Sequence, residues 1–332
     1  MSEGIGRDLR EHVPELMARA HVPGVSVALI QNGQLSWSGA FGVKHRDSAE
    51  RVDDTTVFQA ASLSKPAFAF AVMHLVARRS IALDTPLASY LSAPYVEDDA
   101  LSEQITARHV LGHVTGWPNW RPAGEPLRRE APPGERFGYS GEGYVYLQRV
   151  VEHITGRLLD EVMQADVFTP LAMRHSSFAW AAPAHPALAA PHDRDGAPRA
   201  PHIGEQANAA SSLHSTPTDF ARFVAVFLNH PSAVAQEMLQ PQVGVNDHVA
   251  WGLGWGLEAG EGGQAFWHWG DNPGYKSFVL ALRDARSGVV VMTNADGGRP
   301  LCAWIVQRAL GADHPALSWL ERHYANLQRR SL

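Results

Sequence analysis

The chain has 332 residues, 45% of them hydrophobic and 19% charged, with a formal net charge of −6. This is an ordinary globular composition, long enough for one large domain or two interlocked ones. Lys and Arg form no stripe or run, which excludes a nucleic-acid-binding face, and the single cysteine, Cys302, excludes an internal disulfide and a thiolate metal cluster.

The opening segment, "MSEGIGRDLREHVPELMARA", carries acidic residues and no continuous apolar core, so it does not read as a secretory signal. "GVSVALIQNGQLSWSGAFG" (24–42) reads as a β-hairpin, because two β-rich runs flank an Asn-Gly pair that favours a type I′ turn. Residues 62–79 read as a helix that is apolar nearly all round, hence central, with Pro66 early in it where a lost donor matters least. The longest apolar run, near 66–77, is broken by His74 and is too short to span a bilayer. The expected location is therefore cytoplasmic, with no membrane partner.

Residues 81–178 carry helical signals with loop punctuation, as in "ITARHVLGHVTG" and "GYVYLQRVVEHITG", the second ending on a glycine cap. The Pro/Ala-rich stretch 181–204 is aperiodic and reads as a long loop. "TPTDFARFVAVFLN" (216–229) opens with a capping signal and continues as an amphipathic helix. Strand patterns return after about residue 250, in "AWGLGWGLEA", "AFWHWG", "YKSFVLALRD" and "GVVVMTNA", and "PLCAWIVQRALG" closes the pattern as a helix. Strands at both ends and helices between them predict a sheet assembled from both termini, with a helical insertion.

One lysine stands out. Between Asp54 and Arg78 the only charged side chain is Lys65, set among Phe58, Leu63, Phe68, Phe70 and several alanines. Burial disfavours the ammonium form and turns a lysine into a base. Ser62 lies three residues earlier, on the same helical face, whereas Ser64 points about 100° away. A serine hydroxyl becomes a useful nucleophile once a base takes its proton. The plainer alternative is a helix with a serine cap and a snorkelling lysine.

Two further segments bear on the choice. In "PGERFGYSGEGY" (133–144), Tyr139 precedes a predicted helix whose dipole would favour a phenolate, giving a tyrosine of lowered pKa that moves protons at a leaving group or a water. In "HWGDNPGYKSF" (268–278), a strand ending in His-x-Gly before a tight turn exposes backbone donors. Each segment also has an ordinary structural reading, as a packed aromatic and as a strand with its turn.

Taken in order and spacing, these segments resemble the serine β-lactamase and penicillin-binding protein superfamily, in its class C-like branch of esterases, D-amino-acid peptidases and transacylases. Ser62-Leu63-Ser64-Lys65 resembles S-x-x-K, Tyr139-Ser140-Gly141 resembles Y-x-N, and His268-Trp269-Gly270 resembles K-T-G or H-x-G. "VPGVSVALIQNG", "VFTPLAMRHSSF" and "VVVMTN" resemble lesser landmarks, and the likeness spans roughly residues 12–311. It implies an α/β plus all-α fold, an antiparallel sheet flanked by helices. Residues 1–80 and 241–332 would form the sheet domain and 81–240 an inserted all-helical domain, with the site in the cleft between. It implies Ser62, Lys65, Tyr139 and His268 as catalytic residues. The backbone N–H groups of Ser62 and Asp271 would form an oxyanion hole, and Gly141, Trp269, Gly270 and Trp120 would contact substrate.

The departures narrow the expectation. Gly141 stands where the family has asparagine, removing a donor and an acceptor that would hold an amide. That favours esters over β-lactams. His268 in place of lysine removes a permanent positive charge and leaves a substrate carboxylate to backbone donors or to a protonated histidine. The acidic side chain of Asp271 would disfavour anionic substrates. Trp117, Trp120, Trp251, Trp255, Trp267 and Trp269 cluster near the landmarks, the last of them and Trp120 being candidates for an apolar substrate wall and Trp251, Trp255 and Trp267 for core. His109-x-x-x-His113 has metal-ligand spacing without the partner residues, and no glycine loop of phosphate-binding form is present, so neither metal nor nucleotide cofactor is expected. The expected activity is hydrolysis of a small ester, or less readily an amide such as a D-amino-acid peptide, with at most weak β-lactam turnover, through an acyl-enzyme on Ser62. Transfer of the same acyl group to another acceptor and a non-catalytic binding role are the alternatives. The oligomeric state is not encoded in any motif.

Overall fold

The computed structural model describes residues 2–330 apart from 97–98, 180–185, 202–203, 205, 230–231, 261 and 312. Part of the Pro/Ala-rich stretch 181–204 therefore lies outside the described residues.

The first helix, α1 (Ser2–Arg19), buries Leu9, Val13 and Met17, one residue per turn on a single face. It leads into β1 (Gly24–Gln31) and β2 (Gln34–Gly42). Asn32 and Gly33 join them with φ of 52° and 73°, both positive, as a type I′ turn requires. β3 (Phe58–Ala61) precedes α2 (Ser64–Ala77). The helix thus starts two residues later than its sequence pattern predicts. Leu63 serves as its N-cap, and Pro66 falls in the first turn, where its missing N–H has no intrahelical partner to lose.

The middle of the chain holds the short α3 (Ala107–Leu111), α4 (Gly141–Thr155) and α5 (Leu159–Met163). The hydroxyl of Ser140 accepts from Gly143 N–H at the start of α4, and Gly156, φ 64°, ends it. β4 (Leu213–Ser215) pairs with β3, and α6 (Pro217–Leu228) and α7 (Ala233–Met238) follow. The remaining strands are β5 (Val243–Gly244), β6 (Val249–Trp251), β7 (Gly256–Gly260), β8 (Gly263–Asn272), β9 (Tyr275–Leu282) and β10 (Ser287–Thr293). Two helices close the chain, α8 (Gly298–Leu310) and α9 (Pro315–Arg330).

The main sheet has eight strands in the order β2-β1-β10-β9-β8-β7-β6-β5, every neighbouring pair antiparallel. Its first strands come from both ends of the chain, as the pattern of elements predicts. Alternation assigns the two faces. Ala28, Ile30, Val279, Ala281, Val290 and Met292 join the core that holds α2 and α6. Val25, Val27, Leu29, Leu280, Val289 and Val291 face the layer that holds α1, α8 and α9. α6 packs on β1, β2 and β10. It belongs to the sheet's own covering layer, although its position in the chain falls inside the stretch 81–240 read as the helical insertion. The reason is its wide apolar face, Phe220, Phe223, Val224 and Phe227, which needs a sheet to cover.

β8 matters most for the site. Its pairing with β7 ends at Trp267, whereas its pairing with β9 continues to Asn272. Residues 268–272 therefore leave one edge of β8 open.

Candidate active site

Ser62 sits in the tight turn between β3 and α2. Ala61, just before it, holds φ at 52° although fully buried, a backbone region that L-residues seldom occupy. The amide of Lys65 donates to Ser62 carbonyl at 3.0 Å, which brings the two side chains to the same side. Lys65 Nζ lies 3.1 Å from Ser62 Oγ and donates to the carbonyl of Ala210 at 2.8 Å. The side chain is fully buried, and burial drives its pKa well below the usual lysine range. No carboxylate accompanies it in an ion pair among the described residues. A neutral amine that donates to a carbonyl keeps its lone pair for the serine proton.

Tyr139 completes this corner. Its ring lies 4.7 Å from Lys65 Nζ, and its hydroxyl is buried beside Ser62. Burial pushes the phenol up, with the Ser62 hydroxyl a smaller opposing influence. The expected lowering by the helix dipole is overturned, because α4 begins beyond Ser140 and desolvation outweighs its partial charge. A phenol raised in this way favours its protonated form at neutral pH. Beneath it His113 stacks at 4.3 Å between ring centroids, and His113 Nδ1 accepts from Ser140 N–H.

His268 is fully buried, its Nδ1 2.8 Å from Trp269 O. Burial brings its pKa down to about 3. This direction favours a neutral ring over a protonated histidine waiting for a substrate carboxylate. The ring lies in the floor, 6.2 Å from Tyr139, and is not among the residues lining the cavity above Ser62. Gly270 does not line that cavity either. A Cβ there would meet Ser277 Oγ at 2.1 Å and the carbonyl of Ala60 at 2.2 Å, so this glycine gives β3 clearance to cross the sheet.

The cavity measures about 370 Å³ and is lined by Ser62, Asn119, Trp120, Tyr139, Ser211, Trp269, Asp271, Asn272, His323 and Tyr324. It opens at the unpaired edge of β8. The two-residue turn Pro273-Gly274 makes Asn272 and Tyr275 the hydrogen-bonded pair. By alternation the N–H of Asp271 points away from β9, off the open edge. The Asp271 carboxylate pairs with Lys276 at 2.9 Å and Arg299 at 3.0 Å. The expected repulsion of anions by Asp271 is accordingly offset by two cations.

Trp120 and Trp269 both line the cavity, whereas Trp251, Trp255 and Trp267 are fully buried core. Gly141 shows what took the place of a larger side chain. Its N–H donates to Asn119, and a Cβ would meet the Trp120 ring at 2.7 Å and Asn119 O at 2.9 Å. The sequence reading did not single out Asn119, Ser211, Asn272, His323 or Tyr324. The first three stand at loops or a strand end without periodic signal. The last two lie on α9, whose spacing of Ala316, Trp319, Leu320, His323 and Tyr324 is a helical stripe visible in the sequence.

An antiparallel sheet with helices on both faces, entered by the serine–lysine turn from one side, is the β-lactamase/transpeptidase-like fold. The sequence profile of the Beta-lactamase family matches residues 9–313, and the chain belongs to that family. Penicillin-binding protein 4 of Amycolatopsis lactamdurans is 27% identical over 325 residues, covering 87% of this chain and 84% of that protein. Esterase EstB of Burkholderia gladioli is 30% identical over 190 residues, 48% of each chain. The octameric penicillin-binding protein homologue from Pyrococcus abyssi superposes with a TM-score of 0.81 at 23% identity, covering 93% of this chain and 77% of that one.

Proposed function

We propose that this protein is a serine hydrolase that forms an acyl-enzyme on Ser62, with a small neutral ester as its substrate. The observation that carries the reading is the 3.1 Å approach of Ser62 Oγ to a buried lysine that has no acidic partner among the described residues. Lys65 takes the Ser62 proton as Oγ attacks the carbonyl carbon. The N–H groups of Ser62 and Asp271 face the oxygen that becomes negative. Tyr139 gives its proton to the departing alkoxide and recovers one from the Lys65 ammonium. Water then attacks the acyl carbon, loses its proton through the same pair, and releases the acid and free Ser62.

Two features favour an ester over an amide or a β-lactam. An alkoxide leaves more readily than an amide nitrogen, and position 141 offers no side chain to anchor an amide. Among the described residues the cavity lining also contains no lysine or arginine, so a substrate carboxylate meets no cation in that lining. The esterase relative supports the same choice.

The test is a burst assay with p-nitrophenyl acetate, followed by intact mass. One equivalent of nitrophenol and an acetyl adduct mapping to Ser62 are expected, and Ser62→Ala should remove both. An undiminished burst in that variant would end the hydrolase reading. Faster release on adding an alcohol would move the reading to acyl transfer.

A further inference from the structure

α9 lies beyond the segment that the family profile matches, which ends at residue 313. It is nonetheless built into the candidate site. At its start, Glu258 is buried and accepts from Ala316 N–H at 2.7 Å, while its other oxygen meets His314 Nδ1 at 2.7 Å. A carboxylate at a helix N-terminus satisfies an otherwise free amide and complements the helix dipole. Ala316, Leu317, Trp319 and Leu320 are buried against the sheet. Trp319 stacks on His323 at 4.9 Å, and both approach Trp269.

Tyr324 is held from three directions. Trp269 Nε1–H donates to its hydroxyl at 3.0 Å, the Arg299 guanidinium lies 3.4 Å from its ring centroid, and the Asp271 carboxylate sits beside it. A ring fixed this way is a wall. Both His323 and Tyr324 line the cavity that contains Ser62. At about 370 Å³ that cavity is near the small end of ligand sites, which run from roughly 300 to 1,000 Å³.

We propose that α9 roofs the acyl pocket and that Tyr324 and His323 limit the substrate to a short or flat acyl group. This rests on the hydrolase reading above. It assigns substrate selection to a C-terminal helix rather than to the three sequence motifs.

The experiment compares p-nitrophenyl esters from acetate to decanoate on the full chain, with intact mass recording the adduct on Ser62. The wild type is expected to favour the shortest acids. In Tyr324→Ala, kcat/KM for octanoate relative to acetate should rise at least about tenfold, since even one methylene in a pocket is worth roughly that factor. The gain should appear as a lower KM for long esters. Tyr324→Phe, which keeps the ring, should retain the wild-type chain-length profile. If Tyr324→Ala fails to fold, His323→Ala opens the neighbouring part of the wall and is read the same way. An unchanged profile in a folded variant that still acylates Ser62 would overturn the roof alone. A wild type that acylates with no ester would overturn the hydrolase reading and this one with it.

Discussion

Two lysines are buried within reach of the same strand, and their surroundings are opposite. Lys65, fully buried, has a hydroxyl and a carbonyl for company in a floor shared with His113 and His268. Lys276, 6% exposed, sits between the carboxylates of Asp271 and Asp296 at 2.9 and 2.8 Å, with Arg299 and Arg199 completing the cluster. The floor disposes of charge by giving up protons, and the cluster does so by pairing. Burial alone therefore does not make a lysine a base. Burial without an anion does.

Methionine substitution at each position separates the two. Lys65→Met should cut the acylation rate by about 10²–10⁴-fold, the usual contribution of a general base, measured as the nitrophenol burst rate. The same variant should melt higher. Below the ordinary lysine pKa of 10.5 the unfolded chain holds a proton that folded Lys65 has given up, and that cost disappears with the amine. Retained acylation would sink the base assignment, and a lower melting temperature would sink the account of its surroundings. Lys276→Met should do the reverse. Two carboxylates would be left beside one arginine each, for a loss on the order of 2 kcal/mol. That is below the value for fully buried pairs, because Asp271 and Asp296 are 26% and 21% exposed. Urea denaturation measures it, and an unchanged midpoint would show that the cluster contributes nothing.

A third effect concerns pH. His268 in the floor is brought to about 3 from an ordinary 6.5. The unfolded chain takes up that proton as pH falls below 6.5, whereas the folded chain takes it up near 3. The associated stability is full above pH 6.5 and declines below it by up to about 1.4 kcal/mol per pH unit. His113, also depressed by burial, adds to the slope in the same direction. Urea midpoints at pH 7.5 and 5 should show the loss, and His268→Gln should reduce it. Equal slopes in the two proteins would mean that the ring is not held neutral.

These contrasts explain what was legible in the sequence. Ser62 and Lys65 could be read because three residues of helix-like turn fix their geometry without help from the rest of the fold. Their isolation from acids was visible too, in a run with one charge. The hairpin register pairs Asp271 with Lys276 across an Asn-Pro-Gly-Tyr turn, so that half of the cluster was readable in principle. Asp296 and Arg299 arrive from the far end of β10 and from α8, and no local pattern announces them. The phenol of Tyr139 was misjudged because a helix start is a local signal, whereas desolvation depends on everything packed around it. α9 was missed although its stripe was present, since the family likeness had already run out at about residue 311.

The clearance at Gly270 has a last consequence for the three-letter pattern His-Trp-Gly. Its letters answer to different masters. The first occupies a buried floor and the second braces a roof, so exchanges there would retune acidity or shape while leaving the architecture standing. The third is dictated by two strands crossing at touching distance, and even an extra methyl would lever them apart. Invariance at that position among relatives would report mechanical tolerance rather than shared chemistry.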